Sequence, residues 1–386
     1  MIVGIDASNL QRGGGVTHIV EILSNVSIYK HNVSKVIIWG SEYTLSQIDN
    51  YPWLKKVAPK ELNRGLFSRL IWQKFGLFNS AVDNNCDLIF APGGSVLCNF
   101  RPIVTMSQNM LPFESREARR YGISWITLRL ILLRWLQSKG FKSASGVIFL
   151  TNYAKEQVIK VIGNLSIPST IIPHGLNPRF CEEPKKQYDK AKYNSENPFQ
   201  ILYVSIVDQY KHQWHIVEAV AKLRKEGYPV VLNLVGPSYL PAKKRLMESI
   251  NKFDVNDEWV KYHGPVPYLE LHHIYKEAHL GVFASSCENL PIILLETMAS
   301  GLPIACSNKG PMPEVLGNAG IYFDPERSIE VYHAIKKLID NAQLRSEKSQ
   351  ASFHKVKRYS WDVCAFETFS FLERVAINHH QSLCMK

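Results

Sequence analysis

At 386 residues the chain is longer than one hydrophobic core usually supports, which excludes a small binding module and predicts two domains of about 150 to 200 residues each. With 46% hydrophobic and 20% charged residues it has ample apolar surface to bury, so disorder and fibrous repeats are excluded. Forty-five Lys and Arg against 34 Asp and Glu, a formal charge of +11, favour anionic partners: nucleic acid, anionic lipid or a phosphate-bearing substrate.

The chain opens on Ile2 to Ile5, which reads as a buried strand and not as the start of a signal peptide. Gly13, Gly14 and Gly15 follow, then Val16, Ile19, Val20 and Leu23 at helical spacing, so the chain predicts strand, glycine loop, helix. The glycines do not form G-x-G-x-x-G, and dinucleotide binding is poorly supported. Val36 to Trp39, Leu88 to Phe90, Ile103 to Met106 and Val147 to Leu150 continue as buried strands. The most apolar stretch, Trp125 to Leu136, is interrupted by Arg129 and Arg134 and falls short of the roughly 18 apolar residues of a membrane span. Arg116 to Lys142, with Trp125 and Trp135, reads as a basic amphipathic helix. Arg64, Arg69 and Lys74 with Phe67, Trp72 and Phe75 make a second such face. Both suit anionic lipid headgroups, against the alternative of core helices with a solvated basic side; no nucleic-acid module accompanies the charge.

Cys181 to Pro198 is polar and reads as a linker or mobile loop, setting a domain boundary near 180. Alternation then resumes: strand Ile201 to Ser205, helix Trp214 to Glu226, strand Val230 to Val235, helix Ala242 to Phe253, strand Val260 to His263. Helix Tyr268 to Ala278, strand Leu280 to Ala284, helix Ile292 to Ser300 and strand Pro303 to Cys306 complete it, and a helical segment Trp361 to Val375 closes the chain. The expected fold class is α/β, with two Rossmann-like, doubly wound parallel-sheet domains facing across a cleft. The expected boundaries are 1–178, 179–360 and a C-terminal helix, 361–386, packing back across that cleft. Seven cysteines, odd in number and without a CxxC pair, argue against disulfides or a zinc knuckle and for a reducing cytoplasm.

Glu288-Asn289-Leu290-Pro291 follows one of these strands and opens a helix, with Asn289 as N-cap and Pro291 in the first turn. The amides of such a helix end favour a phosphate or a sugar oxygen, and Glu288 just outside it would accept hydrogen bonds from hydroxyls. Glu296, two turns along, would reach a second group of the same ligand.

Glu288 to Pro303 resembles the E-x7-E signature of retaining glycosyltransferases of family 4, whose fold is the GT-B architecture. Pro173-His174-Gly175-Leu176-Asn177, Leu202-Tyr203-Val204-Ser205, Lys211, Leu234-Val235-Gly236, Tyr262-His263-Gly264, Pro313-Glu314-Val315 and Tyr359-Ser360-Trp361 occur in the family's order. The resemblance implies that Glu288 contacts the donor-sugar hydroxyls, that the amides of Asn289, Leu290, Pro291 and Ile292 face the sugar or distal phosphate, and that Glu296 binds the ribose. Proline has no amide hydrogen, so Pro291 would serve by shape alone. Lys211 would neutralise the diphosphate, and Ser205, Gly236 and Gly264 would line the donor side. Gly13, Gly14, Gly15, Gln108, Asn109 and His174 would line the acceptor side of the cleft. Two departures stand out. Ser205-Ile206 replaces the family's usual Gly-Arg, so Lys211, helped by His212, must carry more of the phosphate charge. Ser107-Gln108-Asn109 replaces a His-Asp type pair, in a form similar to bacterial polysaccharide and O-antigen mannosyltransferases, and supplies no ionisable base.

The implied activity is metal-independent, retaining transfer of a sugar, mannose or a related one, from a nucleotide diphosphate sugar to a growing, lipid-linked bacterial surface glycan. The implied cofactor is none and the implied metal is none, since no D-x-D triplet occurs. The donor is a GDP-sugar by preference, the acceptor polyprenyl-linked, and the place the cytoplasmic face of the membrane, with an anionic lipid surface and not nucleic acid as partner. Rival readings are a GT-B nucleotide-sugar epimerase, which Gln108-Asn109 disfavours, and a non-catalytic sugar-nucleotide-binding protein.

Overall fold

The computed structural model describes residues 1–11 and 13–384. The chain divides into two compact units. The first comprises Met1–Phe113, Ser124–Gly175 and Tyr359–Lys386, of which 385 and 386, the end of the expected C-terminal segment, lie outside the described residues. The second comprises Glu114–Ile123 and Leu176–Arg358.

The first unit holds a parallel sheet of β1 (Ile2–Asp6), β2 (Lys35–Trp39), β3 (Leu54–Val57), β4 (Leu88–Ala91), β5 (Ile103–Met106), β6 (Gly146–Phe149) and β7 (Ser169–Ile171), in the order β3-β2-β1-β4-β5-β6-β7. Its central strands are apolar on both faces because helices cover both, as parallel sheets require. Helix Gly14–Asn25 follows β1 and buries Val16, His18, Ile19, Ile22 and Leu23, partly against the C-terminal helix Trp361–Cys384. That terminal helix is an integral layer of this unit, also touching β4.

The second unit holds β8 (Phe199–Val204), β9 (Val230–Val235), β10 (Val260–Gly264), β11 (Leu280–Phe283), β12 (Ile304–Ser307) and β13 (Ile321–Phe323), parallel throughout, in the order β10-β9-β8-β11-β12-β13. Strand order reverses between β1 and β4 in one sheet and between β8 and β11 in the other. In such sheets ligands sit at the carboxyl ends of the strands beside that reversal.

Three expectations about organisation are corrected. The chain leaves the first unit after Gly175, not after 178, because the returning segment closes on it there: a Cβ on Gly175 would lie 2.2 Å from the Trp361 nitrogen. Residues 181–198 are part of the second unit's body. The buried Arg345 guanidinium donates to the Tyr188 carbonyl and the Gln187 Oε1 (3.0 Å) on this stretch, and to the carbonyls of Leu338 and Ile339, so the stretch is pinned. Finally, Glu114–Ile123, expected in the first domain, is a structural part of the second.

Candidate active site

In the second unit the reversal between β8 and β11 brings together the two residues that lead the resemblance. Lys211 stands on the loop after β8 and Glu288 on the loop after β11. The Lys211 Nζ and a Glu288 carboxylate oxygen form an ion pair, with the lysine side chain 5% and the glutamate 16% exposed. The Tyr203 hydroxyl, on β8, donates to the Lys211 carbonyl (3.1 Å) and closes its loop back onto the strand. The Gly310 turn lies close to the Glu288 amide. Removing either partner of an ion pair this sheltered would leave the other buried without its counter-charge.

Glu296 lies apart from this pair. It sits on helix Ile292–Ala299, fully buried, with the Tyr275 hydroxyl 3.5 Å from its carboxylate and Tyr268 also hydrogen-bonded to it. Burial pushes its carboxyl up to about 7, against the opposing pull of the two tyrosines and of Arg179, whose guanidinium lies over the Tyr268 ring. The helix begins at Ile292, as expected, but Pro291 and not Asn289 stands in the capping position. Asn289 and Leu290 are both buried: the loop turns into the core through Leu290 before the helix starts.

Ser205, Gly236 and Gly264 meet at the carboxyl ends of β8, β9 and β10. The Gly236 amide donates to the Gly264 carbonyl (2.8 Å), and a Cβ on Gly236, at φ +141°, would lie 2.2 Å from the Ser205 carbonyl oxygen. Only glycine permits that approach. Ile206, in place of the family's arginine, is partly exposed beside them.

The expectation that His212 adds positive charge is corrected. His212 is buried, and its Nε2 lies 2.9 Å from the Ser286 hydroxyl. Burial, with Arg120, His215 and Arg245 nearby, pushes its imidazole down to about 3, so it is neutral near pH 7. Sequence reading also missed the partners behind it. The Ser286 hydroxyl donates to Glu117 Oε2 (2.6 Å), Arg120 pairs with Glu117 (2.7 Å), and the Tyr121 hydroxyl donates to Asp208 (2.8 Å). Glu117 and Ser286 carry no motif; only the fold joins positions 169 residues apart in the chain.

In the first unit, Gly13 takes φ +74° at the start of the helix after β1, and a Cβ on Gly15 would lie 3.2 Å from Gln108 Oε1, so the glycine loop and Gln108 are neighbours. Gly14 has open space beside it. Asn109 is exposed, its side-chain Oδ1 accepting from the Leu111 amide (3.1 Å) in a local turn. His174 belongs to an aromatic cluster. It is buried, stacked on His18 with ring centroids 4.5 Å apart and next to Trp361, and burial pushes its imidazole down to about 4. A polar cluster absent from any motif lies at the β1–β4 reversal: buried Asp6 accepts from Gln73 (2.5 Å), and Asn9 donates to Gln73 and Ser95.

The two basic aromatic segments are helical, but with a different outer surface than expected. Helix Trp125–Ser143 buries Leu130, Gln137, Gly140 and Phe141, and turns Trp125 (77% exposed), Leu128, Ile131, Leu132 and Trp135 outward on the opposite side. Along residues 66–83, Phe67 (78% exposed), Ile71, Phe75, Phe78 and Val82 form an exposed stripe, whereas Trp72 is buried. Their outer faces are therefore apolar and flanked by basic residues, which soluble surfaces seldom show. Among the described residues no helix is long and apolar enough to cross a membrane.

Two reversed parallel sheets with this site at the carboxyl edge of the second are a GT-B fold. Solved structures agree: sucrose-phosphate synthase from Thermosynechococcus elongatus aligns over 100% of both chains with a TM-score of 0.75 at 16% identity, and HepE of Anabaena in complex with UDP and glucose over 97% of this chain and 100% of that one, at 0.68 and 16%. Residues 185–355 match the family model for glycosyl transferases group 1. O-antigen chain mannosyltransferase B of Escherichia coli is 25% identical over 231 residues, 59% of this chain and 57% of that protein. The chain spans little more than half the length of the curated relatives it matches.

Proposed function

We propose that the chain is a retaining, metal-independent glycosyltransferase that moves a sugar from a nucleotide diphosphate sugar to a lipid-linked surface glycan at the cytoplasmic face of a membrane. The observation that carries the reading is the sheltered Lys211–Glu288 pair astride the β8–β11 reversal, inside the stretch that matches group 1 glycosyl transferases and eight residues before Glu296. Departure of a diphosphate puts negative charge on the leaving oxygen. Lys211 and the amides at the start of helix Ile292–Ala299 stabilise that charge more in the transition state than before it, which is where catalysis requires the gain. Glu288 accepts from the donor-sugar hydroxyls and keeps Lys211 oriented; Glu296 accepts from the ribose. Retention follows from attack on the leaving-group face, with the phosphate taking the acceptor proton, so Glu288 has no nucleophilic role. HepE's UDP and glucose support a nucleotide-sugar donor, the O-antigen mannosyltransferase supports mannose as the sugar, and the resemblance around Gln108 and Asn109 favours a guanine nucleotide. A thermal-shift panel of nucleotides, followed by their sugar conjugates and a transfer assay, tests this: stabilisation by no nucleoside diphosphate would end the reading.

Because Lys211 supplies the positive charge, activity should survive exhaustive EDTA treatment. Loss with EDTA, restored by magnesium or manganese, would assign the phosphate site to a metal instead. The outward apolar faces of residues 66–83 and 125–143 support a membrane-bound acceptor. The chain should co-sediment with vesicles containing anionic lipid, less so as salt rises, since each Lys or Arg near such a surface contributes about 1 kcal/mol within a Debye length. Charge reversal at Arg119, Arg120 and Arg129 is expected to weaken vesicle binding, with the Arg120 change also disturbing Glu117. Equal binding to neutral and anionic vesicles, or none to either, would count against it.

A further inference from the structure

We propose that the Glu114–Ile123 segment is a positioning strap for the donor site: Glu117, acting through Ser286 and His212, sets the two loops that carry Glu288 and Lys211. The proposal rests on the donor-site reading above. Ser286 stands two residues before Glu288, and His212 directly follows Lys211. The Ser286 hydroxyl has one proton, and its shortest contact, 2.6 Å, is to the Glu117 carboxylate, which can only accept. His212 Nε2, 2.9 Å from the same oxygen, must therefore be the donor. The imidazole is neutral, so the chain of hydrogen bonds selects the Nε2–H tautomer and leaves Nδ1 unprotonated, with no hydrogen-bond partner. The Ser286 amide also donates to the Tyr210 carbonyl (2.9 Å), so the loops after β8 and β11 are tied twice at this point.

The strap itself is firmly seated. Arg120 donates to both Glu117 oxygens (2.7 and 3.2 Å) and to Glu326 (2.9 Å), which Arg116 also pairs with (2.7 Å), and the Tyr121 hydroxyl reaches Asp208 on the loop before Lys211. Glu117, Ser286 and His212 are all buried. A buried carboxylate is costly unless paired and hydrogen-bonded, and removing one of its partners leaves the rest exposed to that cost. Here the paired carboxylate enters where the two site loops meet, so its geometry is passed to Glu288 and Lys211.

Two measurements on the full chain test this. In ¹⁵N-histidine NMR, with His212 assigned by loss of its signals in His212→Gln, the wild type should show a neutral Nε2–H ring between pH 5 and 8. Ser286→Ala and Glu117→Gln should each shift that ring towards a mixture of tautomers. Both should also lower kcat about 10- to 100-fold, the cost of a small misplacement of reacting groups, with a smaller change in donor KM. Ser286→Ala leaves the Arg120, Glu117 and Glu326 pairs in place and so decides the matter if Glu117→Gln does not fold. An unchanged His212 tautomer with wild-type kcat in Ser286→Ala would overturn the proposal. If the wild type transfers no sugar, the donor reading fails, while the tautomer still decides whether Glu117 governs His212.

Discussion

Glu288→Ala is expected to lower sugar transfer about 1000-fold, the upper range for removing a group aimed at developing charge. Two losses combine in that figure. The acceptor for the donor-sugar hydroxyls disappears, and Lys211 is left as a buried ammonium without its counter-charge. Breaking a buried pair by removing one partner typically costs about 3 kcal/mol in stability, so the melting temperature should fall as well. The double variant Lys211→Met with Glu288→Ala separates the two effects. With no charge stranded, it should regain most of the lost stability while remaining inactive. Turnover by Glu288→Ala within tenfold of wild type would remove the central support for the proposed function, and a double variant no more stable than the single one would show that the ion pair is not what Glu288 contributes to the fold.

Glu296→Gln should change stability and nucleotide affinity in opposite directions. Burial raises the Glu296 carboxyl from 4.5 to about 7, so the folded chain holds a proton there that the unfolded chain has released. The stabilisation linked to that proton is complete below pH 4.5 and is lost as pH rises through 7, a change of about 3 kcal/mol for a shift of this size. Glutamine does not titrate. The variant should therefore be more stable than wild type at pH 8, with the advantage vanishing towards pH 5. A ribose diol donates its hydroxyls to the ionised carboxylate, so nucleotide binding to wild type should release protons and weaken as pH falls from 8 to 6. In the variant, affinity should drop about tenfold at pH 8, the usual worth of a hydrogen bond to a charged group, and lose most of this pH dependence. Calorimetry in two buffers of different ionisation enthalpy reads the proton release directly; equal heats and pH-independent affinity in wild type would place the ribose elsewhere.

The central strands of both sheets were legible because they are short runs buried on both faces, as Ile103–Met106 and Leu280–Phe283 are. Of the four edge strands only Val260–Gly264 was legible. Leu54–Val57 carries two lysines, Ser169–Ile171 is three residues long, and all of these residues are only partly buried or exposed, since an edge strand need satisfy only one neighbour. The positions of Glu288 after one strand and of Lys211 after another were legible from a contiguous motif and from the spacing to Ser205; the burial of Glu296 against Tyr275 and Tyr268 was not. The burial of His174 was not legible, because Trp361, which packs on it, stands nearly 190 positions later. Glu117, Ser286 and Arg345 work through partners distant in sequence, and no local pattern signals them.

The first unit is interrupted: residues 176–358 intervene between Gly175 and Tyr359, and only then does the chain supply helix Trp361–Cys384, which covers helix Gly14–Asn25. During synthesis, the second unit is complete in the emerging polypeptide before the first has its last layer. Until then helix Gly14–Asn25 lacks part of its cover, and His18 and His174 lack Trp361. Vectorial folding of this chain thus finishes at its beginning, and a chain cut short after residue 358 would hold a finished second unit attached to a first unit with an open apolar seam, the kind of surface that recruits chaperones.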